Sequence, residues 1–276
     1  MPLIIMLILG FIGANAQNPS FQLAVTGKGD PILLFPGFTC TGDVWKESIT
    51  ELSKNHECHV FTFAGFGGVA PIEKPWLPKI KEEVIAYVKK LNLKKPIVIG
   101  HSMGGTLGLW LAATETRLFK KVIVVDALPC MGAVMIPEYR SENMVYDNPY
   151  NKQLLDMDAA AFEAMARQYT SYMCLNKDKH EQLTQWIIQA DRKTYVYGYT
   201  DLLRLDLRDD IAKIEIPVVI LAATHPDRKT IENTYNTQYQ KLAKKQIHYA
   251  DYAAHFVMYD QPGWFSENLK QSVQRR

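Results

Sequence analysis

The chain has neither a block of like charges nor an apolar run long enough to cross a bilayer. Its 276 residues include 31 Lys and Arg against 29 Asp and Glu, which gives a formal net charge of +2. Such a balanced composition lacks the basic stripe that binds a phosphate backbone, so nucleic acid is not an expected partner. The apolar run at residues 3–12 is well short of the about 20 residues that span a membrane as a helix, so we expect no stable membrane span.

Cysteine is scarce, and its spacing is not that of a zinc site. The four cysteines are Cys40, Cys58, Cys130 and Cys174. His56 and His59 flank Cys58, but no second cluster follows, so no bound metal is expected. In an oxidising compartment the thiols could form up to two disulfides in three pairings, whereas a chain with this large a core does not require them. Buried free thiols are the equal alternative.

The first sixteen residues carry no charged side chain and resemble a secretory signal peptide. The apolar run is followed by the small-x-small tripeptide Ala14, Asn15 and Ala16, which is typical of a cleavage site. We therefore predict that residues 1–16 are removed before Gln17 and that the protein is exported, to the periplasm or the medium. The alternative is a buried first strand, although the segment lacks the alternation of a half-buried one.

Short apolar runs bounded by Gly or Pro recur along the rest of the chain, separated by stretches with helical period. These runs are residues 32–35, 59–63, 96–99, 122–125, 218–222 and 246–249. Between the second and third, apolar residues from Ile80 to Leu91 share one helical face, which predicts a crossover helix. The pattern predicts an α/β fold with a mostly parallel sheet flanked by helices.

The alternation stops from residue 128 to about residue 206, where the chain is rich in Met, Tyr and Ala. Helical stretches are predicted near residues 158–170 and 181–192. We interpret this part, at about residues 130–206, as a helical cap inserted into a single α/β domain of residues 20–276. The alternation resumes at Ile211, and the last helix is predicted to begin near Pro262.

Residues 100–104 read Gly-His-Ser-Met-Gly, a G-x-S-x-G motif. This motif alone is expected by chance in roughly one protein of this length in ten. Here it lies directly after an apolar strand and before a helix-compatible stretch, where a sharp turn raises the serine above the sheet. Ser102 is therefore the predicted nucleophile.

Pro36, Gly37 and Phe38 follow the strand at residues 32–35. Hydrolases with a serine nucleophile in such a turn place the first N–H donor of the oxyanion hole after this strand. We therefore predict that the backbone N–H groups of Phe38 and Met103 form an oxyanion hole. A plain turn after a strand is the alternative interpretation of the Pro-Gly pair.

The base must lie in a loop beyond the end of a late strand, and His255 meets that condition. The third member of the triad should follow the strand at residues 218–222, where Asp227 is the first carboxylate. The chain order Ser102, Asp227, His255 is the order of α/β hydrolases. Asp126, which ends the strand at residues 122–125, is the alternative acid, and a helix-capping or turn role is the alternative for either aspartate.

As a set, these motifs resemble those of α/β-hydrolase-fold serine esterases, from about Phe21 to the end of the chain. The set comprises P-G-F at 36–38, G-H-S-M-G-G at 100–105, V-V-D-A-L-P at 124–129, and H-F-V-M-Y-D-Q-P starting at His255. The resemblance implies the α/β-hydrolase fold, the helical cap and acyl hydrolysis. One departure is the segment at residues 64–68, Ala-Gly-Phe-Gly-Gly, where many relatives have an Asp-x-x-G-x-G turn.

We expect a serine hydrolase that cleaves a carboxylic ester, or a related acyl bond, through an acyl-enzyme and without a metal or organic cofactor. Its substrate is expected to be small and partly apolar. The cap residues suited to such a substrate are Met131, Met135, Met144, Tyr139, Tyr146, Tyr150, Tyr169 and Tyr172. Carbon-carbon hydrolysis or acyl transfer on the same triad is the first alternative, and a non-catalytic small-molecule receptor is the second.

Overall fold

A seven-stranded sheet organises the part of the chain that the computed structural model describes, residues 18–274. The strands are Phe21–Thr26 (β1), Asp30–Phe35 (β2), His56–Phe63 (β3), Ile97–His101 (β4), Lys121–Val125 (β5), Val218–Ala223 (β6) and Lys245–Ala250 (β7). Their order is β1-β3-β2-β4-β5-β6-β7, with β1 antiparallel to β3 and the other pairs parallel. The carboxyl ends of β2 to β7 therefore meet at one edge, where ligand sites of such sheets lie.

Helices connect the strands and cover the sheet. Before the insertion they are Lys46–Leu52 (α1), Trp76–Lys90 (α2) and Met103–Thr114 (α3). Between β5 and β6 lie Gly132–Met135 (α4), Pro149–Asp156 (α5), Ala159–Met173 (α6), His180–Ile188 (α7) and Arg192–Arg204 (α8). After β6 come Arg228–Gln238 (α9), Val257–Asp260 (α10) and Pro262–Gln274 (α11).

The central strands are apolar because both faces of the sheet are covered. Every residue of β4, β5 and β6 is buried, as is typical of a parallel sheet between helices. Val98 and Val122 belong to the core that includes residues of α2 and α3, whereas Ile97 and Ile123 belong to the core with α1 and α11. Successive residues of one strand thus contribute to opposite cores.

Three helices of the insertion, called the cap from here on, begin at polar residues that accept backbone hydrogen bonds. Asn148 accepts from the N–H of Asn151 at 2.8 Å in front of α5. Asp158 accepts from the N–H of Ala161 at 2.8 Å in front of α6, and Asp191 accepts from the N–H of Thr194 at 2.7 Å in front of α8. Such helix-capping side chains satisfy N–H groups that have no acceptor within the helix, and they favour the start of the helix at that residue.

A buried carboxylate fastens the cap to the sheet domain. Asp201 in α8 accepts hydrogen bonds at its Oδ2 from the backbone N–H groups of Trp76, at 2.6 Å, and Leu77, at 3.0 Å. Its Oδ1 accepts a hydrogen bond from the Tyr146 hydroxyl. Burial raises the pKa of Asp201, an effect that these three donors oppose.

The turn at residues 64–68, which departs from the family pattern, also contacts the cap. The Gly65 carbonyl accepts from the Asp191 N–H at 2.8 Å. Gly65 has a φ of +83°, and a Cβ at this position would lie 2.4 Å from the Thr194 Oγ1. Only glycine fits this close approach, so the turn and the start of α8 are built together.

The structure confirms the mostly parallel sheet, and each predicted strand overlaps an observed one. The antiparallel strand β1 was not predicted. All four cysteines are buried free thiols, as one of the two alternatives proposed. The predicted signal peptide lies outside the described residues, and within residues 18–274 no helix is both long and apolar enough to cross a membrane.

Candidate active site

Ser102 occupies a strained turn between β4 and α3. Its φ is +52° and its ψ is −125°, a conformation that residues with a Cβ seldom adopt. A Cβ on Gly100 would lie 2.1 Å from the Gly104 carbonyl oxygen, and one on Gly104 would lie 2.5 Å from that of Phe35. The two glycines of the motif are therefore required by close backbone packing, which fixes Ser102 at the edge of the sheet.

The loop after β2 lies directly against this turn. A Cβ on Gly37 would come within 3.3 Å of the Ser102 Cβ. The Met103 N–H begins α3 and has no acceptor inside the helix, so it is available to a negative charge near Ser102. Phe38 follows Gly37, which brings both sequence-predicted oxyanion donors to the same end of the sheet as Ser102.

His255 and Asp126 form a short hydrogen bond at this edge. The His255 Nδ1 donates to the Asp126 Oδ2 at 2.7 Å. Asp126 follows β5, and His255 lies in the loop between β7 and α10. Because Nδ1 carries the donated proton, Nε2 of the neutral ring is left as an acceptor, which is the tautomer a general base needs.

Asp126 is held in place by two further donors. Its Oδ1 accepts from the Ala223 N–H at 2.9 Å and from the Tyr235 hydroxyl at 2.8 Å. Burial alone would raise the pKa of Asp126, but the hydrogen bond and charge of His255, together with these two donors, lower it below its ordinary value. The carboxylate is thus ionised and fixed in orientation.

Asp227, the acid preferred from the sequence, does not approach His255. Its carboxylate caps α9, accepting at Oδ2 from the Thr230 N–H at 2.9 Å and the Thr230 hydroxyl at 2.5 Å. These bonds lower its pKa, and the side chain is exposed. The preference for Asp227 is therefore corrected to the alternative, Asp126. The spacing of Asp227 and Thr230 before an amphipathic stretch is an N-cap signal that could have indicated this.

His101 is a further residue of the site, one that the sequence did not single out. It is fully buried, and its Nε2–H donates to the His255 carbonyl at 3.0 Å. Its ring centroid lies 4.7 Å from that of His255, and its Nδ1 has no partner among the described residues. Burial, followed by the charge of His255, lowers the pKa of His101 to about 3, so the ring is neutral.

Asp260 connects the His255 loop to the cap. Its Oδ2 accepts from the Ala254 N–H at 2.8 Å. Its Oδ1 accepts from the N–H groups of Leu175, at 2.9 Å, and Asn176, at 3.0 Å, between α6 and α7. The residue before His255 is thus hydrogen-bonded to the same carboxylate as the cap.

The cap covers the site from the side of Phe38. The Phe38 ring lies 5.7 Å from that of Tyr195 and 5.4 Å from that of Tyr199, both in α8. Ser102 retains 5% of its surface exposed, and the His255 side chain 25%. Within residues 18–274 no group of three His, Cys, Asp or Glu side chains is arranged to hold a metal ion.

A sequence model of the alpha/beta hydrolase family matches residues 32–268. The 3-oxoadipate enol-lactonase 1 of Acinetobacter baylyi is 24% identical over 259 residues, which cover 91% of this chain and 92% of that protein. The pimeloyl-acyl-carrier-protein methyl ester esterase of Vibrio atlanticus is 24% identical over 202 residues, 71% of this chain and 76% of that protein.

A solved structure has the same fold. The enol-lactonase from Burkholderia xenovorans superposes with a TM-score of 0.78 at 17% identity, over 92% of this chain and 96% of that chain. At this identity the likeness extends to the fold alone.

Proposed function

The chain belongs to the alpha/beta hydrolase family, and from that premise we propose that it is a serine hydrolase cleaving a carboxylic ester, or a related acyl bond, of a small and partly apolar substrate. The names of two relatives, an enol-lactonase and a methyl ester esterase, support ester hydrolysis at the level of the family. The observation that carries the proposal for this chain is the 2.7 Å hydrogen bond from His255 to Asp126, beside the strained turn at Ser102.

In the proposed mechanism Ser102 is the nucleophile. Its hydroxyl oxygen bonds to the acyl carbon while its proton passes to the His255 Nε2, and the C=O electron pair becomes an oxyanion. The N–H groups of Phe38 and Met103 stabilise that oxyanion, each contributing about 3 kcal/mol by the magnitude known for a single donor. Asp126 stabilises the imidazolium that forms and keeps the ring in the required tautomer.

Collapse of the oxyanion then breaks the bond to the leaving alcohol, which takes the proton from His255. The acyl group remains on Ser102. A water molecule then attacks in the same way. His255 removes a proton from the water, the water oxygen bonds to the acyl carbon, and the Ser102 oxygen leaves with the proton from His255. The products are a carboxylic acid and an alcohol, and the enzyme returns to its starting state.

Labelling with a fluorophosphonate probe tests the nucleophile. We expect wild-type protein to be labelled and to hydrolyse p-nitrophenyl esters, and Ser102→Ala to do neither, because only binding and the oxyanion hole remain. Ser171→Ala, a change of an exposed cap serine, is the matched control and should behave as wild type. Labelling of Ser102→Ala would show another nucleophile, and unlabelled wild-type protein would favour a receptor.

We also propose that residues 1–16 direct export and are removed before Gln17. The support for this is the uncharged apolar segment and its small-x-small end.

A further inference from the structure

Six cap residues near Phe38 offer hydroxyl groups, aromatic faces and thioethers. They are Met131, Met135, Tyr150, Tyr169, Tyr195 and Tyr199, called the cap tyrosine surface from here on. They come from α5, α6 and α8 and from the short helix α4 with the residue before it. Their position relative to the oxyanion loop and their charge environment together indicate what kind of substrate this surface accepts.

The surface begins at the oxyanion loop. Tyr195 and Tyr199 contact the Phe38 ring, and α8 approaches so closely that a Cβ on Gly198 would lie 3.3 Å from that ring. A substrate whose carbonyl oxygen is held by the Phe38 N–H therefore lies close to the helix that carries these two tyrosines.

From there the surface continues outward to solvent. The Tyr199 hydroxyl lies 3.2 Å from the Met135 Sδ and 3.8 Å from the Met131 Sδ. Met135 is 54% exposed and Tyr150 is 55% exposed. The surface thus extends from the oxyanion loop to side chains that a substrate reaches directly from water, and thioethers adapt readily to different apolar shapes.

The tyrosine hydroxyls of the surface are also uncharged. Burial, followed by interaction with Tyr169, raises the pKa of Tyr150. Burial, followed by interaction with Tyr169 and Tyr150, raises the pKa of Tyr199. Arg192 is a cation that acts on Tyr195 and lowers its pKa, against the larger effect of burial. Its Nη1 already donates to two backbone carbonyls at 2.9 Å, and its guanidinium lies 3.6 Å from the centre of the Phe162 ring.

We infer that the cap tyrosine surface binds the apolar or aryl part of an uncharged ester and discriminates against esters that carry a free carboxylate. The inference rests on the proposed function, because it requires Phe38 to hold the substrate carbonyl. A carboxylate brought against this surface loses water and finds no cation to pair with among these six side chains, while the Arg192 Nη1 and the face of its guanidinium are already engaged. The hydroxyls still supply donors and acceptors to a neutral polar group.

Two esters with the same leaving group test the discrimination. p-Nitrophenyl hexanoate ends in a methyl group, and mono-p-nitrophenyl adipate ends in a carboxylate at the same distance. We expect kcat/KM for the adipate to be about 100-fold lower in the wild-type protein, since an unpaired charge is desolvated. An equal or higher kcat/KM for the adipate would overturn the inference while leaving the proposed hydrolase intact.

A cation introduced at Met135 tests whether the discrimination between the two esters arises at the cap tyrosine surface. Met135→Arg places a guanidinium next to Tyr199, and we expect it to raise the ratio of adipate to hexanoate kcat/KM about tenfold, the size of one favourable ion pair of about 1.4 kcal/mol. Val134→Arg is the matched control, because Val134 is 53% exposed on the same helix, and it should leave the ratio unchanged. An equal change in both variants would overturn the placement at this surface.

The two levels of proposal fail differently. Absence of hydrolysis of both esters together with absence of fluorophosphonate labelling would contradict the hydrolase itself. Labelling and hydrolysis without discrimination between the esters would contradict the substrate class alone.

Discussion

Ser102 and Asp126 leave neighbouring strands at the same level of the sheet. His101 and Val125, the last residues of β4 and β5, are register partners, and the residue after each has a positive φ, +52° for Ser102 and +44° for Asp126. The Ser102 N–H donates to the Val125 carbonyl at 2.9 Å. The strained backbone at both positions is thus held by the sheet, which keeps the two side chains at the edge that His255 reaches.

This geometry predicts that turnover depends on Asp126. We expect Asp126→Asn to lower kcat by about 10⁴, because the amide permits the wrong tautomer of His255, as in another serine triad. Asp227→Asn is the control and should stay close to wild-type kcat. Steady-state kinetics with p-nitrophenyl hexanoate measures both, and the reverse order of losses would return the acid to Asp227.

His101 is expected to act by positioning His255 through its carbonyl. His101→Leu removes the donor, and we expect kcat to fall about 100-fold, the cost typical of a catalytic group displaced by about 1 Å. His101→Gln places an amide N–H near the position of Nε2 and should recover most of that loss. KM and kcat are measured separately, since a loss confined to KM, or no recovery in the glutamine variant, would contradict positioning.

The sequence predicted the strained turn at Ser102 but not the aspartate that contacts His255, for a physical reason. The G-x-S-x-G motif requires glycines at fixed places because of local backbone packing, so Ser102 is recognisable from its neighbours along the chain. Asp126 and His255 are 129 residues apart, and only the lateral order of β5, β6 and β7 brings them together. The buried Nδ1 of His101 likewise follows from packing between loops, for which the sequence contains no local signal.

At the scale of elements, the buried strands were predictable and the edge strand was not. Strands β4 to β6 are continuous apolar runs because both of their faces are covered. Strand β1 pairs on one side only, with β3, and Leu23 is the one buried residue among its six. Its sequence is short and lacks the continuous apolar run of the central strands, so pairing with β3, which no local pattern reveals, decides its conformation.

The connection between α8 and α2 should contribute measurably to stability. Asp201→Ala leaves two backbone N–H groups at the start of α2 and the Tyr146 hydroxyl without their acceptor. We expect the free energy of unfolding to fall by about 2–3 kcal/mol. The matched change Asp158→Ala, which removes the exposed N-capping side chain of α6, should cost about 1 kcal/mol. Urea denaturation monitored by circular dichroism gives both values, and equal losses would contradict the connection.

For the whole molecule, His101 makes stability depend on pH. The pKa of His101 is about 3 in the folded protein and about 6.5 in an unfolded chain. Since the unfolded chain binds a proton that the folded protein does not, stability is lost as the pH falls below about 6.5 and levels off near 3.

Between pH 7 and pH 5 this effect amounts to about 2 kcal/mol for a fully buried ring. His101→Gln cannot bind that proton and should therefore lose less stability over the same interval than the wild-type protein. Urea denaturation of both proteins at the two pH values measures the difference. Equal losses would mean that His101 becomes accessible to protons without unfolding.

Export is tested on the full chain. When residues 1–276 are expressed in a bacterium, we expect periplasmic protein beginning at Gln17, because the uncharged apolar segment is recognised and cleaved. Cell fractionation followed by intact-mass measurement decides this. A cytoplasmic product that retains residues 1–16 would contradict the prediction, and Ala16→Leu, which disrupts the small-x-small pattern, should block cleavage.

The place of the cap in the chain has a consequence for protein engineering. Ser102 and Asp126 precede the cap, His255 follows it, and the cap is inserted between the adjacent parallel strands β5 and β6. Because these three residues lie outside the cap, we expect that replacing the cap with that of a relative alters substrate preference and leaves their positions unchanged. Such a graft must reproduce two contacts between the cap and the sheet domain. They are the hydrogen bond from α2 to the Asp201 carboxylate and the backbone hydrogen bond to Gly65.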